Sequence, residues 1–132
     1  MLQASGPLIS VLGISLGAAM GALARWQLGL WLSQPGALMP WGTLAANLVG
    51  GLLVGVAVGT MELLPGLNPL WRLFLVTGFL GGLTTFSTFS AEVVGFLVQD
   101  KLGVALLTTM AHVAGSRLMT WVGLKAVQWL HT

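Results

Sequence analysis

The chain has 132 residues, of which 56% are hydrophobic and 6% charged. Soluble domains carry about 25% charged residues, so this balance excludes a soluble enzyme or regulatory domain and places the chain in lipid. Zero cysteines exclude disulfides and thiolate chemistry, and five Lys and Arg scattered singly make the net charge of +2 a sign of few acids rather than of a nucleic-acid surface.

A transmembrane helix takes roughly 20 apolar residues, so the length holds four spans in one domain, 1–132, and little else. Arg25 is the only ionisable residue before Glu62. The first span is predicted over about 7–32, ending at the breaker cluster Ser33-Gln34-Pro35-Gly36. Ala22-Leu23-Ala24 inside it resembles a signal-peptide cleavage site, but no basic segment precedes it. The second span is predicted over about 41–61, with Pro40 at a helix start that tolerates proline. Pro65-Gly66 and Asn68-Pro69 form the next loop. The third span runs over about 70–98 and is expected to be broken near 81–85, where Gly81-Gly82 precede Thr84 and Thr85. Asp100-Lys101 forms the last turn, and the fourth span covers about 103–130. The fold class is all-α: a polytopic membrane protein with four transmembrane helices. Trp31, Trp41, Trp71 and Trp129 fall near span ends as interface anchors, and Trp121 is expected to pack within the bundle.

Residues four apart share one helix face. Gly13, Gly17, Gly21, Arg25 and Gly29 form such a row in the first span, and Thr43, Asn47, Gly51, Gly55 and Gly59 in the second. Glycine rows let helix backbones approach closely in lipid, and tight packing accounts for most of them. It does not account for Asn47, which needs hydrogen-bond partners in the membrane, either a neighbouring helix or an ion. Thr108, His112, Ser116 and Thr120 make a third row. Hydroxyls in such helices often bond only to their own i−4 carbonyl, but four polar residues on one face also make a wall for a wet path. Arg25, Arg117 and Glu92 each need a partner or an interface.

The densest signal is Gly81-Gly82-Leu83-Thr84-Thr85-Phe86-Ser87-Thr88-Phe89-Ser90. Two glycines followed by hydroxyls and β-branched residues predict unwound backbone, which survives in lipid only when buried in protein or lining a cavity. Phe86 and Phe89 share a face. Two rings packed into core or lipid would be ordinary. Beside Ser and Thr donors, their positive edges can receive an anion without a formal charge.

On these residues the chain resembles the Fluc/CrcB family of bacterial fluoride channels over essentially its whole length. The matching strings are Gly21-Ala22-Leu23-Ala24-Arg25-Trp26, Gly42-Thr43-Leu44-Ala45-Ala46-Asn47, Gly81 to Ser90, and Gly115-Ser116. The resemblance implies a bacterial inner-membrane, antiparallel dual-topology homodimer with two fluoride pores that relieves fluoride toxicity. It implies that Phe86 and Phe89 meet fluoride by ring edges, and that Asn47 donates to the ion and orients a phenylalanine. Thr43, Ser87, His112, Ser116 and Thr120 would join the polar track. The backbone carbonyls of Gly81 and Thr84 would hold a structural Na⁺ at the dimer centre, and Glu92 would be an acid near the pore mouth, with Arg25 a structural or pore-mouth charge.

The alternative is a small dual-topology multidrug transporter driven by protons, in which Glu92 would act as the exchanging carboxylate. Such transporters need an acid in the first span, and this one has only Arg25. A purely structural subunit would explain the glycine rows but neither the third-span string nor the Thr108–Thr120 row. Charge placement bears on topology. Arg72 and Lys125 lie towards the side of the termini, and Arg25 and Lys101 towards the other, so the Lys/Arg bias fixes no single orientation.

Overall fold

The computed structural model describes residues 6–132; positions 1–5 of the domain expected over 1–132 lie outside the described residues. The described residues form helices joined by turns: α1 (Gly6–Leu32), α2 (Trp41–Leu63), α3 (Pro69–Arg72), a π-helical segment (Leu73–Leu80), α4 (Gly81–Leu83), α5 (Phe86–Val98) and α6 (Leu102–Leu130). Four stretches are long and apolar enough to cross a membrane: Pro7–Leu32, Trp41–Leu63, Pro69–Val98 and Leu102–Leu130. Their ends follow local breakers. Asn68 caps α3 by accepting from the Leu70 N–H at 3.0 Å, with Pro69 in the first helical position. Asp100 turns the chain into α6 at φ 57°, a left-handed value that Asp tolerates better than most side chains.

The helices pack in two parallel pairs, α2 along α6 and α1 along 73–83. Glycine rows line both seams. A Cβ on Gly51 would lie 2.8 Å from the Ser116 carbonyl oxygen, and one on Gly55 2.8 Å from the Leu124 nitrogen. On the other seam, a Cβ on Gly17 would lie 2.8 Å from the Phe79 nitrogen, and one on Gly21 2.7 Å from the Leu83 nitrogen. Close backbone approach supplies the dispersion contact that holds helices together where water gives no drive.

Little of the molecule is buried. Ala46, Leu80 and Leu83 form the core, flanked by Ala24, Leu28, Val54, Ala57 and Phe79. Leu12, Leu16, Leu23, Leu106, Met110 and Leu118 are all more than half exposed. A surface of that kind is a liability in water and the ordinary solvent face in lipid.

Three features depart from the sequence reading. Gly81 and Gly82 are helical, within α4, and the two extended residues are Thr84 and Thr85. Gly82 serves packing instead: a Cβ there would lie 3.1 Å from the Ala18 Cα. Trp121 is 57% exposed rather than packed in the bundle. Its neighbour Thr120 faces α2, and the next helical position points about 100° away. The π-helical winding of Leu73–Leu80, against α1, is the third; hydropathy carries no signal for it.

Candidate functional site

Helical bonding ends with the Thr84 N–H, which still reaches the Leu80 carbonyl at 3.0 Å. Thr84 has ψ 155°, and Thr85 has φ −151° and ψ 119°, both extended. Backbone groups freed at such a point need partners. Asn47 on α2 supplies them: its Oδ1 accepts from the Thr85 N–H at 2.8 Å, and its Nδ2 donates to the Thr85 carbonyl at 3.0 Å. Nδ2 also meets Nδ1 of His112 on α6 at 2.9 Å. One amide therefore ties α2, the extended residues and α6 together. α5 restarts on Thr85, whose Oγ1 caps it by accepting from the Thr88 N–H at 3.1 Å.

Aromatic rings close the other side. Phe89 stacks on His112 with centroids 4.4 Å apart, and Phe86 meets Phe89 edge-on at 5.5 Å and 78°. Phe89 is 7% exposed, whereas Phe86 is 76% exposed. These groups bound a cleft of about 360 Å³, lined by Asn47, Thr84, Thr85, Phe86, Phe89, His112, Ser116, Arg117 and Thr120, with Gly51, Val54 and Val113. The lining offers an amide, hydroxyls, an imidazole and ring edges, and its residues include no carboxylate. Arg117 is exposed, at the rim. Donors and ring edges without an acid suit a small anion better than a cation.

The cleft gathers seven of the site residues expected from the sequence: Asn47, Thr84, Phe86, Phe89, His112, Ser116 and Thr120. The Thr120 hydroxyl donates to the Ser116 carbonyl at 3.0 Å, the i−4 bond typical of membrane hydroxyls. Thr108, from the same row, is fully buried outside the cleft lining, and its Oγ1 has no partner among the described residues. Thr43 is not in the lining either. Its hydroxyl donates to Glu92 Oε1 at 2.6 Å, and Glu92 Oε2 is closed off without a partner among the described residues. Ser87 is exposed, 3.3 Å from the Thr85 hydroxyl. Half-buried Arg25 donates from Nε to the Gly82 carbonyl at 3.1 Å, placing its charge at the end of α4, where free carbonyls favour a cation. Two polar residues of the cleft were missed as site residues. Thr85 carried a signal, since Thr85 and Thr88 have the spacing of a cap before a new helix. Arg117 carried only its position next to Ser116.

Residues 12–124 match the model of a family described as CrcB-like protein, Camphor Resistance (CrcB). The chain belongs to the CrcB family. A relative from Variovorax paradoxus (strain S110) is 63% identical over 121 residues, covering 92% of this chain and 96% of its own length. One from Chromobacterium violaceum is 57% identical with 92% and 96% covered, and one from Pseudomonas aeruginosa (strain UCBPP-PA14) is 54% identical with 92% and 95% covered. All three are named "Fluoride-specific ion channel FluC". Four membrane-spanning helices in a CrcB protein with such relatives place it as a multi-pass protein of the bacterial inner membrane; the family's chemistry is ion conduction rather than enzymatic turnover.

The carbonyls of Gly81 and Thr84, which the resemblance assigns to a structural Na⁺ in CrcB proteins, fit a hard cation. A continuing helix would send the Thr85 N–H to the Gly81 carbonyl and the Thr88 N–H to that of Thr84. Here those donors go to Asn47 Oδ1 and Thr85 Oγ1 instead. Both carbonyls are thereby left with oxygen lone pairs to offer, and unwound membrane backbone binds Na⁺ in this way.

Proposed function

We propose that this chain is a passive, fluoride-selective channel that lets fluoride leave the cell and so relieves its toxicity. The reading rests above all on the cleft, where an amide, an imidazole, hydroxyls and two phenylalanine edges converge at the extended residues of a CrcB protein. Fluoride is strongly hydrated, so a pore must replace its water with donors that are numerous and individually weak. His112 and Ser116 supply donors, Asn47 holds the extended residues and His112 in place, and Phe86 and Phe89 supply positive ring edges. Arg117 at the rim raises the local anion concentration without sitting deep enough to hold the ion.

The working unit in this reading is an antiparallel homodimer with two pores. Phe86, Gly81 and Ser87 are exposed in the single chain. Extended backbone beside them cannot face lipid, because unsatisfied peptide groups there cost several kcal/mol each, about the scale of polar transfer into hydrocarbon. A second copy would cover that face. The even division of Arg25 and Lys101 against Arg72 and Lys125 lets both orientations insert. The carbonyls of Gly81 and Thr84 from the two copies would hold Na⁺, which supplies a positive potential and joins the subunits. Thr43 and Glu92 lie outside the cleft lining and in this reading form its mouth. The multidrug-transporter alternative is disfavoured by the same pair, since Glu92 has one oxygen held by Thr43 and the other closed off.

Efflux from liposomes reconstituted with the protein tests the proposal, with a fluoride and a chloride electrode on parallel samples. Fluoride is expected to leave far faster than chloride, and more slowly when Na⁺ is replaced by a bulky cation. Equal chloride flux, or no fluoride flux, would overturn the channel assignment. Reporter fusions at the C-terminus are expected on both sides of the membrane; one side only would contradict the antiparallel dimer.

A further inference from the structure

The hydrogen bonds around Asn47 determine more than its own position. A backbone N–H can only donate and a backbone carbonyl can only accept. The Thr85 N–H therefore requires oxygen at the atom that receives it, and the Thr85 carbonyl requires the Asn47 NH₂ group. This settles which way the amide points, with no choice left to its chemistry. The NH₂ group is also the one 2.9 Å from His112 Nδ1, so Nδ1 must accept and carries no proton. The imidazole proton then resides on Nε2.

We infer that His112 is a positioning residue: its unprotonated Nδ1 locks the Asn47 amide onto the Thr85 backbone, and its Nε2–H is the donor it presents to the cleft. The ring is 4% exposed and lines the cleft, and Phe89 stacked on it fixes its plane. Nε2 has no protein partner among the described residues, and it is not among the sealed, unpaired polar atoms, which are Glu92 Oε2 and Thr108 Oγ1. It therefore opens to the cleft. The extended backbone at Thr85 thus sets the tautomer of a side chain on α6, through Asn47. Because both Asn47 hydrogens are engaged, His112 Nε2–H is the free nitrogen donor of this trio. An imidazolium at His112 would turn an N–H towards the Asn47 NH₂ and break the lock, so the neutral ring is the one that fits. Of the charged groups, Arg117 on α6 lines the same cleft, and Glu92 on α5 is held by Thr43 of α2.

The flux part of the test rests on the channel reading; the tautomer part does not. Nitrogen-15 histidine NMR of the reconstituted protein reads the tautomer directly, with His131→Gln, at the exposed end of α6, leaving His112 as the single histidine. At about pH 8, where imidazoles are neutral, a single Nε2–H form is expected. An Nδ1–H form, an even mixture or a cation would overturn the inference. Fluoride efflux of two variants reads the role. His112→Gln keeps an acceptor for Asn47 and a donor for the cleft, and is expected within about threefold of the parent. His112→Leu leaves a buried amide hydrogen unpaired and is expected to lose about tenfold or more. Equal rates for the two would contradict a positioning role. If the variants fail to fold, the NMR result decides. A parent protein that carries no fluoride would strike the channel reading and leave the tautomer assignment standing.

Discussion

One helix pair carries two unlike regions. α2 and α6 run side by side, and the α2 row Asn47, Gly51, Gly55, Gly59 faces α6. At Gly51 and Gly55 the seam closes until backbone nearly touches backbone, with Gly51 still bordering the cleft. One turn earlier, at Asn47, it opens into the polar cleft. The difference teaches what the glycines are for. Close approach at Gly51 and Gly55 brings Ser116 and Thr120 to the cleft wall and sets the spacing at which one amide reaches both His112 and Thr85. The seam is thus the scaffold of the site as well as the glue of the fold.

Substitutions separate the two roles. The largest effect is expected at Gly55→Ala, whose Cβ would press on the Thr120 carbonyl and the Leu124 nitrogen. Overpacking against backbone costs about 3 kcal/mol, beyond the roughly 1 kcal/mol that alanine gains in helix propensity. Thermal unfolding in detergent should show a Tm drop together with loss of flux. Asn47→Ala should invert that pattern. It removes three hydrogen bonds at the cleft and leaves the glycine seam intact, so fluoride efflux should fall more than tenfold while the protein still folds and elutes normally. Arg25→Gln removes a charge-assisted bond to the Gly82 carbonyl, worth about 1.5–3 kcal/mol at most for a half-buried group. Its unfolding midpoint should fall by less than that of Gly55→Ala. Gly95→Ala is the quiet control. A Cβ there meets nothing within 4 Å, so Tm should hold or rise slightly. A Tm loss at Gly95 comparable to that at Gly55 would mean that contact is not what distinguishes the seam glycines.

Both regions were legible in the sequence to different depths. Spans could be read because Ser33–Gly36, Pro65–Pro69 and Asp100-Lys101 interrupt otherwise apolar chain. The seam could be read because glycines four apart have one structural consequence. The cleft was legible as residue types: Asn47, His112, Phe86 and Phe89 stand out where polar or paired aromatic side chains are unexpected. Their connections were not legible, since the destination of the Thr85 N–H, 38 positions from Asn47, is a tertiary fact. Pairing of Thr43 with Glu92 is hidden for the same reason. Gly81 and Gly82 misled because glycine signals both unwinding and close packing, and at Gly82 the contact with Ala18 decides in favour of packing. Trp121 misled because the composition of a helix does not say which of its faces meets a neighbour.

The central claim is that the ion's route passes the aromatic and amide wall of the cleft. Parallel fluoride-electrode traces from liposomes holding the parent protein and Phe89→Ile test it most directly, with size-exclusion profiles run on both. Fast efflux is expected from the parent and efflux slowed at least tenfold in Phe89→Ile, with matching elution. Equal efflux from two equally folded proteins would contradict it.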